Sequence, residues 1–272
     1  MDKNFYYQSA DKKFLYSYLT GRALSETNLC KSLYYNMIIY TLDGSARYYI
    51  EGGDYYLSKD DLLIISNNEL SRSIDASDNY AEIKICFEKD FLPFERDNCD
   101  LLKAFLRRQR GHNNLITNEI SCKYGFREYL ARIEKLCKEK TPESEILIKC
   151  LLTEIIISLN KVHKTGATAN ASEYNNAIRD VIRYINDNLS GNLSLDSITS
   201  TLYLTKTYLC HIFKKKTGMT IIQYITNKRI LLADDLIRSG LPALEACMKS
   251  GFNNYSNFYK SYIKVMGHSP TG

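Results

Sequence analysis

Along the first ninety or so residues, apolar and aromatic runs alternate with breaks made of glycine, aspartate and asparagine. The runs occupy 37–42, 46–50, 54–57, 62–65 and 80–87, parted by Asp43-Gly44, Gly52-Gly53 and Asn67-Asn68. Runs rich in β-branched and aromatic residues between turn formers predict strands. Strands this short and this closely spaced predict a sandwich or a small barrel. In the last run Ile83, Ile85 and Phe87 alternate with Glu82, Lys84 and Glu88, so one face is expected in a core and the other in water.

From about residue 100 the period lengthens to that of helices. Leu101, Leu102, Phe105 and Leu106 mark one helix, and Tyr124, Phe126, Tyr129, Leu130, Ile133, Leu136 and Cys137 mark a longer one. Thr141-Pro142 opens a third, over 143–162, in which Leu147, Leu151, Ile155 and Leu159 recur at every fourth position beside Ile148, Leu152 and Ile156. So broad an apolar face has two readings. It covers the β domain, or the side bearing Leu147, Leu151, Ile155 and Leu159 pairs with the same helix of a second copy. At 164–172 the pattern gives way to KTGATANAS, small and weakly hydrophobic, the composition of a flexible link. A domain over 1–163, a linker over 164–173 and a second domain over 174–272 are therefore expected.

Beyond 174 the chain reads as a succession of capped helices. Ile178, Val181, Ile182, Ile185 and Leu189 form one apolar stripe, halted by Ser190-Gly191-Asn192. Ser194 opens a short helix to Leu202, Thr205 caps another to Lys216 that Gly218 closes, and Thr220 opens a long one to Ser239, ahead of Gly240. Pro242 suits the first turn of a further helix ending near Ser250-Gly251, and the last runs from about Asn254 to Met266, closed by Gly267. An offset of 49 residues superimposes Leu195 on Leu244, Asp196 on Glu245, Leu209 on Phe258, Phe213 on Tyr262, Lys215 on Lys264, Gly218 on Gly267 and Thr220 on Ser269. The simplest reading is two copies of a short helix, tight turn and second helix, joined by one long helix.

Charge changes the picture once it is divided. The 272 residues carry 36 Lys+Arg against 31 Asp+Glu; of these, 12 and 6 fall in 174–272, and 24 and 25 ahead of it. All the basic excess thus lies on the helical repeat, as suits a nucleic-acid-binding unit joined to a neutral one, although a merely solvated basic surface explains the asymmetry equally well. A helix-turn-helix unit places its second helix in the major groove of double-stranded DNA, with early exposed residues on base edges and a basic end near phosphates. In 205–216, Tyr208, Leu209, Ile212 and Phe213 supply a buried face. This leaves Lys206, Thr207, Cys210 and His211 for bases and Lys214, Lys215 and Lys216 for phosphates. On its own, such a lysine run is a solubilising helix end near the negative dipole; its recurrence inside a repeat favours the DNA reading. In the second copy Tyr255, Ser256, Asn257, Tyr259 and Lys260 face out. Ser256, Asn257 and Lys260 are the base-facing candidates there, and Lys264 is the phosphate contact.

These residues carry a family resemblance. The stretch YLCHIFKKKTGMTIIQYITNKRILLADDLI is similar to the Y-L-x-x-x-F-K-x-x-x-G, Y-x-x-x-x-R and A-x-x-L-L pattern of the AraC/XylS family of bacterial transcription regulators, with Arg229 and Ala233 in place. GFNNYSNFYKSYIKVMGHSP resembles the family's second signature and keeps Gly251, Phe252, Phe258, Gly267 and Pro270. The resemblance covers 174–272. It implies a sequence-specific regulator, expected to be an activator working with RNA polymerase, with Thr207, Cys210, His211, Ser256, Asn257 and Lys260 at the bases. Thr199, Ala243, Ala246, Cys247, Ser250 and Tyr262-Ile263 depart from the pattern, so the second unit is expected to pack loosely or to bind DNA weakly.

Residues 44–91 resemble, more faintly, the cupin-like barrel that precedes the DNA-binding part in many members. The implied fold is α+β in two domains: a small cupin-like β-barrel with following helices, then an all-α domain with two helix-turn-helix units joined by a long helix. In the family such a barrel holds a small effector and the helices after it form a homodimer. Tyr40, Tyr48, Ile50, Tyr56, Ile83 and Ile85 are the candidate pocket, although the many tyrosines, Tyr34, Tyr35, Tyr49 and Tyr55 among them, equally suit a packed wall. A domain that only binds a partner protein is the alternative.

A cupin-type metalloenzyme is the rival class. Such sites need several histidines or carboxylates converging on the barrel interior, and none of His112, His163, His211 and His268 falls within 37–87. No catalytic residue, metal or cofactor is expected. The eight cysteines include no C-x-x-C pair and read as reduced thiols. No stretch is long and apolar enough to span a membrane, and the N-terminus lacks the apolar core of a signal peptide, so the expected location is the cytoplasm.

Overall fold

The computed structural model describes residues 4–21, 35–67, 69–92 and 101–271. It divides into two units, Met1–Tyr174 and Asn175–Gly272. Tyr34, Cys30, Cys99 and the Asn68 half of one expected turn lie outside the described residues.

In the first unit all five expected strands form, joined by others: β1 (Phe5–Gln8), β2 (Phe14–Thr20), β3 (Asn36–Asp43), β4 (Ala46–Ile50), β5 (Gly53–Leu57), β6 (Leu62–Ile65), β7 (Ser71–Ala76), β8 (Ala81–Phe87), β9 (Leu115–Ile116) and β10 (Glu173–Tyr174). They build two antiparallel sheets, ordered β1-β2-β8-β3-β6-β9 and β10-β5-β4-β7. Among the described residues both orders are open. The described strands of the unit thus form two sheets that share a core.

Helices α1 (Lys103–Leu106), α2 (Asn118–Lys123), α3 (Phe126–Glu139) and α4 (Pro142–Lys164) follow the strands. Strand β3 shows how the layers stack. Ile38 and Tyr40 join a cluster with Leu130 and Ile133 of α3 and Leu152, Ile155 and Ile156 of α4. Met37 and Ile39 join Tyr48, Ile50, Tyr55 and Leu57 of the smaller sheet. The centre of the larger sheet is thus covered by helices on one face and by strands on the other, and β3 and β6 read as continuously apolar because both of their faces are buried.

That layering corrects several expectations. Glu82 has no wet face to point to. It turns towards the smaller sheet, where it is fully buried and its Oε2 accepts hydrogen bonds from the hydroxyls of Tyr48 (2.6 Å) and Tyr80 (2.9 Å), while Lys84 Nζ lies 3.0 Å from Oε1. The dimer stripe also fails. Steps of four residues rotate about 40° around a helix axis, so the line beginning at half-exposed Leu147 winds inward, and Leu151, Ile155 and Leu159 are core residues. The six-residue effector pocket does not assemble either. Tyr40, Ile83 and Ile85 face the helices, Tyr48 and Ile50 face the other sheet, and Tyr56 is exposed beneath the Arg47 guanidinium.

The stretch 164–173 is no free linker. Lys164 still belongs to α4, Ala169 N–H donates to Leu115 O at 2.7 Å, Ser172 N–H donates to Asp54 O at 3.0 Å, and β10 pairs with β5. Small side chains let this backbone lie against the sheets, so the same composition that suggests flexibility also suits close packing.

A buried ion pair ties the first unit's loops to its sheets. Arg108 grips both carboxylate oxygens of Glu69. The N–H groups of Gly111 (2.7 Å) and Ser66 (2.9 Å) and the amide of Asn114 (3.1 Å) donate to the same carboxylate. Burial pushes the Glu69 carboxyl up, but the Arg108 charge and these donors outweigh it and hold it below the usual carboxylate range.

Candidate nucleic-acid interface

The second unit comprises α5 (Asn176–Asp187), α6 (Leu195–Leu202), α7 (Lys206–Thr217), α8 (Ile221–Arg238), α9 (Ala243–Lys249) and α10 (Tyr255–Met266). Most of its helix starts are set by one polar side chain each. Asn175 accepts from Ile178 N–H, Thr205 from Tyr208 N–H and Asn254 from Asn257 N–H, and Ser194 and Thr220 form reciprocal capping boxes with Ser197 and Gln223. Both second helices end on a left-handed glycine, Gly218 at φ 78° and Gly267 at φ 80°.

The repeat is therefore physical as well as textual. Leu209 and Phe213 of α7 are buried, as are Phe258 and Tyr262 of α10. At about 100° per residue, Thr207, His211, Lys214 and Lys215 fall roughly 140° to 240° around the axis from Leu209. Ser256, Lys260, Ile263 and Lys264 occupy the same sector relative to Phe258. All eight side chains are exposed, and neither α7 nor α10 contains an Asp or Glu. Each helix thus presents short polar groups towards its start and lysines towards its end, where the helix dipole favours cations.

Around that face the remaining candidates differ in their freedom. Cys210 and Asn257 are exposed at its margins. Lys206 is exposed too, but its Nζ lies 2.5 Å from Asp196 Oδ1 on α6, which draws it away from the others. Lys216 is half-buried. Tyr208, expected in the buried face, is half-exposed, because it sits about 100° from Leu209 on the side away from Phe213. Tyr259 is exposed as expected, Ile263 is an exposed residue that apolar periodicity overlooks, and Tyr255, expected to face out, is half-buried against the core.

The expected looseness of the second copy does not appear. Ala246 and Cys247 are small, and the space beside them is taken by aromatic rings. Phe258 packs against Phe252, Tyr255 and Tyr262 with ring centroids 5.3–5.6 Å apart, in one cluster with Ile230 and Ala233 of α8. The Tyr262 hydroxyl donates to Asp234 Oδ1 at 2.5 Å, and Ser250 Oγ donates to Cys247 O at 2.9 Å, so the departures from the family pattern are satisfied internally. Arg229 of α8 donates to Leu189 O (2.9 Å) and Gly191 O (2.7 Å). Gly251, at φ 91°, sits so close that a Cβ there would fall 2.7 Å from Leu189 O and 2.8 Å from Arg229 Nε. Arg229 thus joins the turn before α6 to the turn after α9.

Among the described residues, no group of three or more His, Cys, Asp and Glu side chains is placed to share a metal ion, and no helix is long and apolar enough to cross a membrane.

Residues 198–272 match a family described as a helix-turn-helix domain. The HTH-type transcriptional activator AarP of Providencia stuartii is 32% identical over 95 residues, which cover 35% of this chain and 70% of that protein. The multiple antibiotic resistance protein MarA of Salmonella typhimurium is 30% identical over 95 residues, covering 34% of this chain and 75% of MarA. The match to the HTH-type transcriptional regulator YtdP of Bacillus subtilis, 30% over 108 residues, spans 39% of this chain and 14% of YtdP, far short of its full length. Among solved structures, fatty-acid-bound ToxT from Vibrio cholerae aligns over 98% of this chain and 92% of its own, at 14% identity and a TM-score of 0.37.

Proposed function

Since the chain belongs to the AraC family of transcription regulators, we infer that it is a sequence-specific DNA-binding regulator whose α7 and α10 enter successive stretches of major groove. One observation carries this reading: two helices 49 residues apart expose the same sector, with short polar groups leading and lysines trailing, on matched buried anchors and matched glycine caps. In their grooves Thr207, Cys210 and His211, and Ser256, Asn257 and Lys260, read base edges. Lys214, Lys215 and Lys264 neutralise phosphates.

AarP is named an activator, which supports activation as this chain's output; RNA polymerase as its partner and the cytoplasm as its place belong to the same proposal. The first unit then serves as the regulatory part, receiving an effector or a partner. The reading assigns no catalytic step to either unit.

The test is selection of duplexes from a random library by the full chain, followed by footprinting of the winners. Two protected major-groove segments on one face, about one helical turn or ~34 Å apart, are expected. Enrichment of no common sequence overturns the assignment, and protection of a single groove segment removes α10 from it.

A further inference from the structure

The turn between α6 and α7 carries a side chain that the packing of the second unit does not account for. Tyr203 closes α6 in the left-handed region, at φ 54° and ψ 39°, and it is 95% exposed. The backbone there is fixed on both sides. The N–H groups of Tyr203 and Leu204 both donate to Thr199 O, and Thr205 caps α7 two residues on. So tight a turn demands the left-handed step, which glycine takes freely and a residue with a Cβ takes only against steric repulsion. For a bulky side chain such an angle is an outlier. Among the seven described non-glycine residues with positive φ, Tyr203 is the one aromatic.

The second copy makes the same turn differently. Its left-handed step falls on Gly251, at φ 91°. The residue 49 positions on from Tyr203 is Phe252, half-buried, with its ring centroid 5.3 Å from that of Phe258. There the glycine takes the demanding angle and the aromatic contributes to the core. In the first copy the aromatic takes the demanding angle and contributes nothing to the core, and its hydroxyl has no hydrogen-bond partner among the described residues. Local strain kept at an exposed position, with no internal gain to offset it, points to a role outside the fold.

The surroundings of Tyr203 select the partner. Two Cα steps, at most about 7.6 Å, separate it from Thr205, and Thr207 and His211 follow on the groove-facing sector of α7. A helix that enters a groove about 12 Å wide has a sugar-phosphate strand on either side, and tyrosine hydroxyls are among the groups that hold phosphate oxygens. From residue 197 to residue 233 the chain carries no Asp or Glu. Ser200, Thr201 and Thr205 are exposed around the turn, and Asp196, the carboxylate nearest in sequence, is held by Lys206 at 2.5 Å. Hydroxyls without free carboxylates suit an anionic backbone and offer little to a basic protein surface. We propose that Tyr203 grips the DNA backbone for the first helix-turn-helix unit, its hydroxyl donating to a phosphate oxygen at the edge of the groove that α7 enters and its ring lying on the adjoining sugar. The contact rests on the reading of α7 as a groove-entering helix. A neutral phenol fixes register there without reading a base and without displacing a counterion.

The experiment measures the affinity of the full chain for a selected and a random duplex across a salt series, with Tyr203→Phe and Tyr203→Gly beside the parent. Both variants should lose affinity by similar factors on the two duplexes, about tenfold for Tyr203→Phe and more for Tyr203→Gly, with the slope of log affinity against log salt unchanged. The thermal midpoint of Tyr203→Gly should be no lower than that of the parent, because the left-handed step is relieved. Single uncharged methylphosphonate linkages placed along the selected duplex should weaken the parent at one position bordering the α7 segment and weaken Tyr203→Phe there much less. Parent-like affinity in both variants overturns the contact, and so does a loss confined to the selected duplex. A lowered midpoint in Tyr203→Gly would make the side chain a prop of the fold and overturns the proposal as well. Full duplex affinity with lost activation of transcription in Tyr203→Gly gives the residue to a protein partner, with the same consequence. A parent chain that holds neither duplex overturns the regulator reading and the contact together, whereas a binding parent matched by its variants overturns the contact alone.

Discussion

The two units place their charge in opposite ways. The first turns key charges inward. Glu69 and Glu82 are fully buried among hydrogen-bond donors, with Arg108 and Lys84 as their cations. The second turns its lysines outward on α7 and α10, opposite apolar anchors of a few residues' spacing. A charge removed from water must be fully satisfied where it sits and so becomes part of the architecture. A charge left in water contributes little to stability and remains available to a partner. Scaffold and reader thus use the same side chains under different solvation.

The sharpest way to break this contrast is Glu69→Ala. Removing one partner leaves the Arg108 guanidinium buried and unpaired, and about 3–5 kcal/mol should be lost from the first unit, read as a lowered denaturant midpoint. The isolated duplex-binding activity of the second unit should change little. The same carboxylate sets an acid limit. Because its folded pKa lies below the usual range, its stabilisation is present at neutral pH and disappears as pH falls from that range through the folded value. Glu69→Gln should flatten that acid limb. A loss below about 1 kcal/mol in Glu69→Ala, the size of a surface pair, would mean that the inward charges are not structural.

Gly251→Ala carries the comparison into the second unit, where backbone shape rather than buried charge is under strain. An added Cβ meets Leu189 O and Arg229 Nε at a positive φ, so roughly 1–3 kcal/mol should be lost. The junction between the two helix-turn-helix units should loosen. Thermal unfolding of a 175–272 fragment reads the first effect and two-segment footprinting the second. Unchanged unfolding would show that the Arg229 junction yields freely.

How much of this was legible in the sequence follows the same divide. The second unit is built from local signals. Its caps at Ser194, Thr205, Thr220 and Asn254 and its closing glycines lie within a few residues of what they control, so helix limits, repeat and exposed lysines were all readable. The first unit is built from distant pairings. Ile85 lies between Tyr16 and Ile38, partners some seventy and fifty residues away in the chain. Periodicity found the strands and missed the second buried face, and with it the interior Glu82, the inward turn of Leu151 to Leu159 and the division of the six pocket candidates. Tyr208 marks the limit on the helical side: an aromatic at an amphipathic margin reads as core when its neighbour Leu209 is core.

Within the reader itself, His211→Ala should cost about 1–3 kcal/mol on the preferred sequence and relax selectivity at one base pair, with random duplexes little affected. Equal losses on selected and random DNA would remove His211 from base reading. Thr205→Ala and Asn254→Ala remove equivalent caps from the two copies, and each should lower fragment stability by about 1 kcal/mol. Parity between them is expected if the aromatic cluster around Phe258 holds the second copy firmly. A much smaller effect at Asn254 would restore the looseness suggested by Ala246 and Cys247.

The smallest expected effect discriminates best between the two uses of charge. Lys215→Gln on α7 removes an exposed cation, so fragment stability should stay within about 0.5 kcal/mol of the parent. If Lys215 neutralises one phosphate, the slope of log affinity against log salt should shallow by about 0.9 on every duplex, whatever its sequence. Lys206→Gln provides the internal control: its ammonium is held by Asp196, and freeing that carboxylate next to DNA adds repulsion that does not depend on losing a phosphate contact. Its affinity should therefore fall with less change in the count of released ions than Lys215→Gln produces. Identical salt slopes for the two variants would mean that position on the helix face does not decide which lysine meets the backbone. The outward charges would then act as a diffuse field rather than as placed contacts.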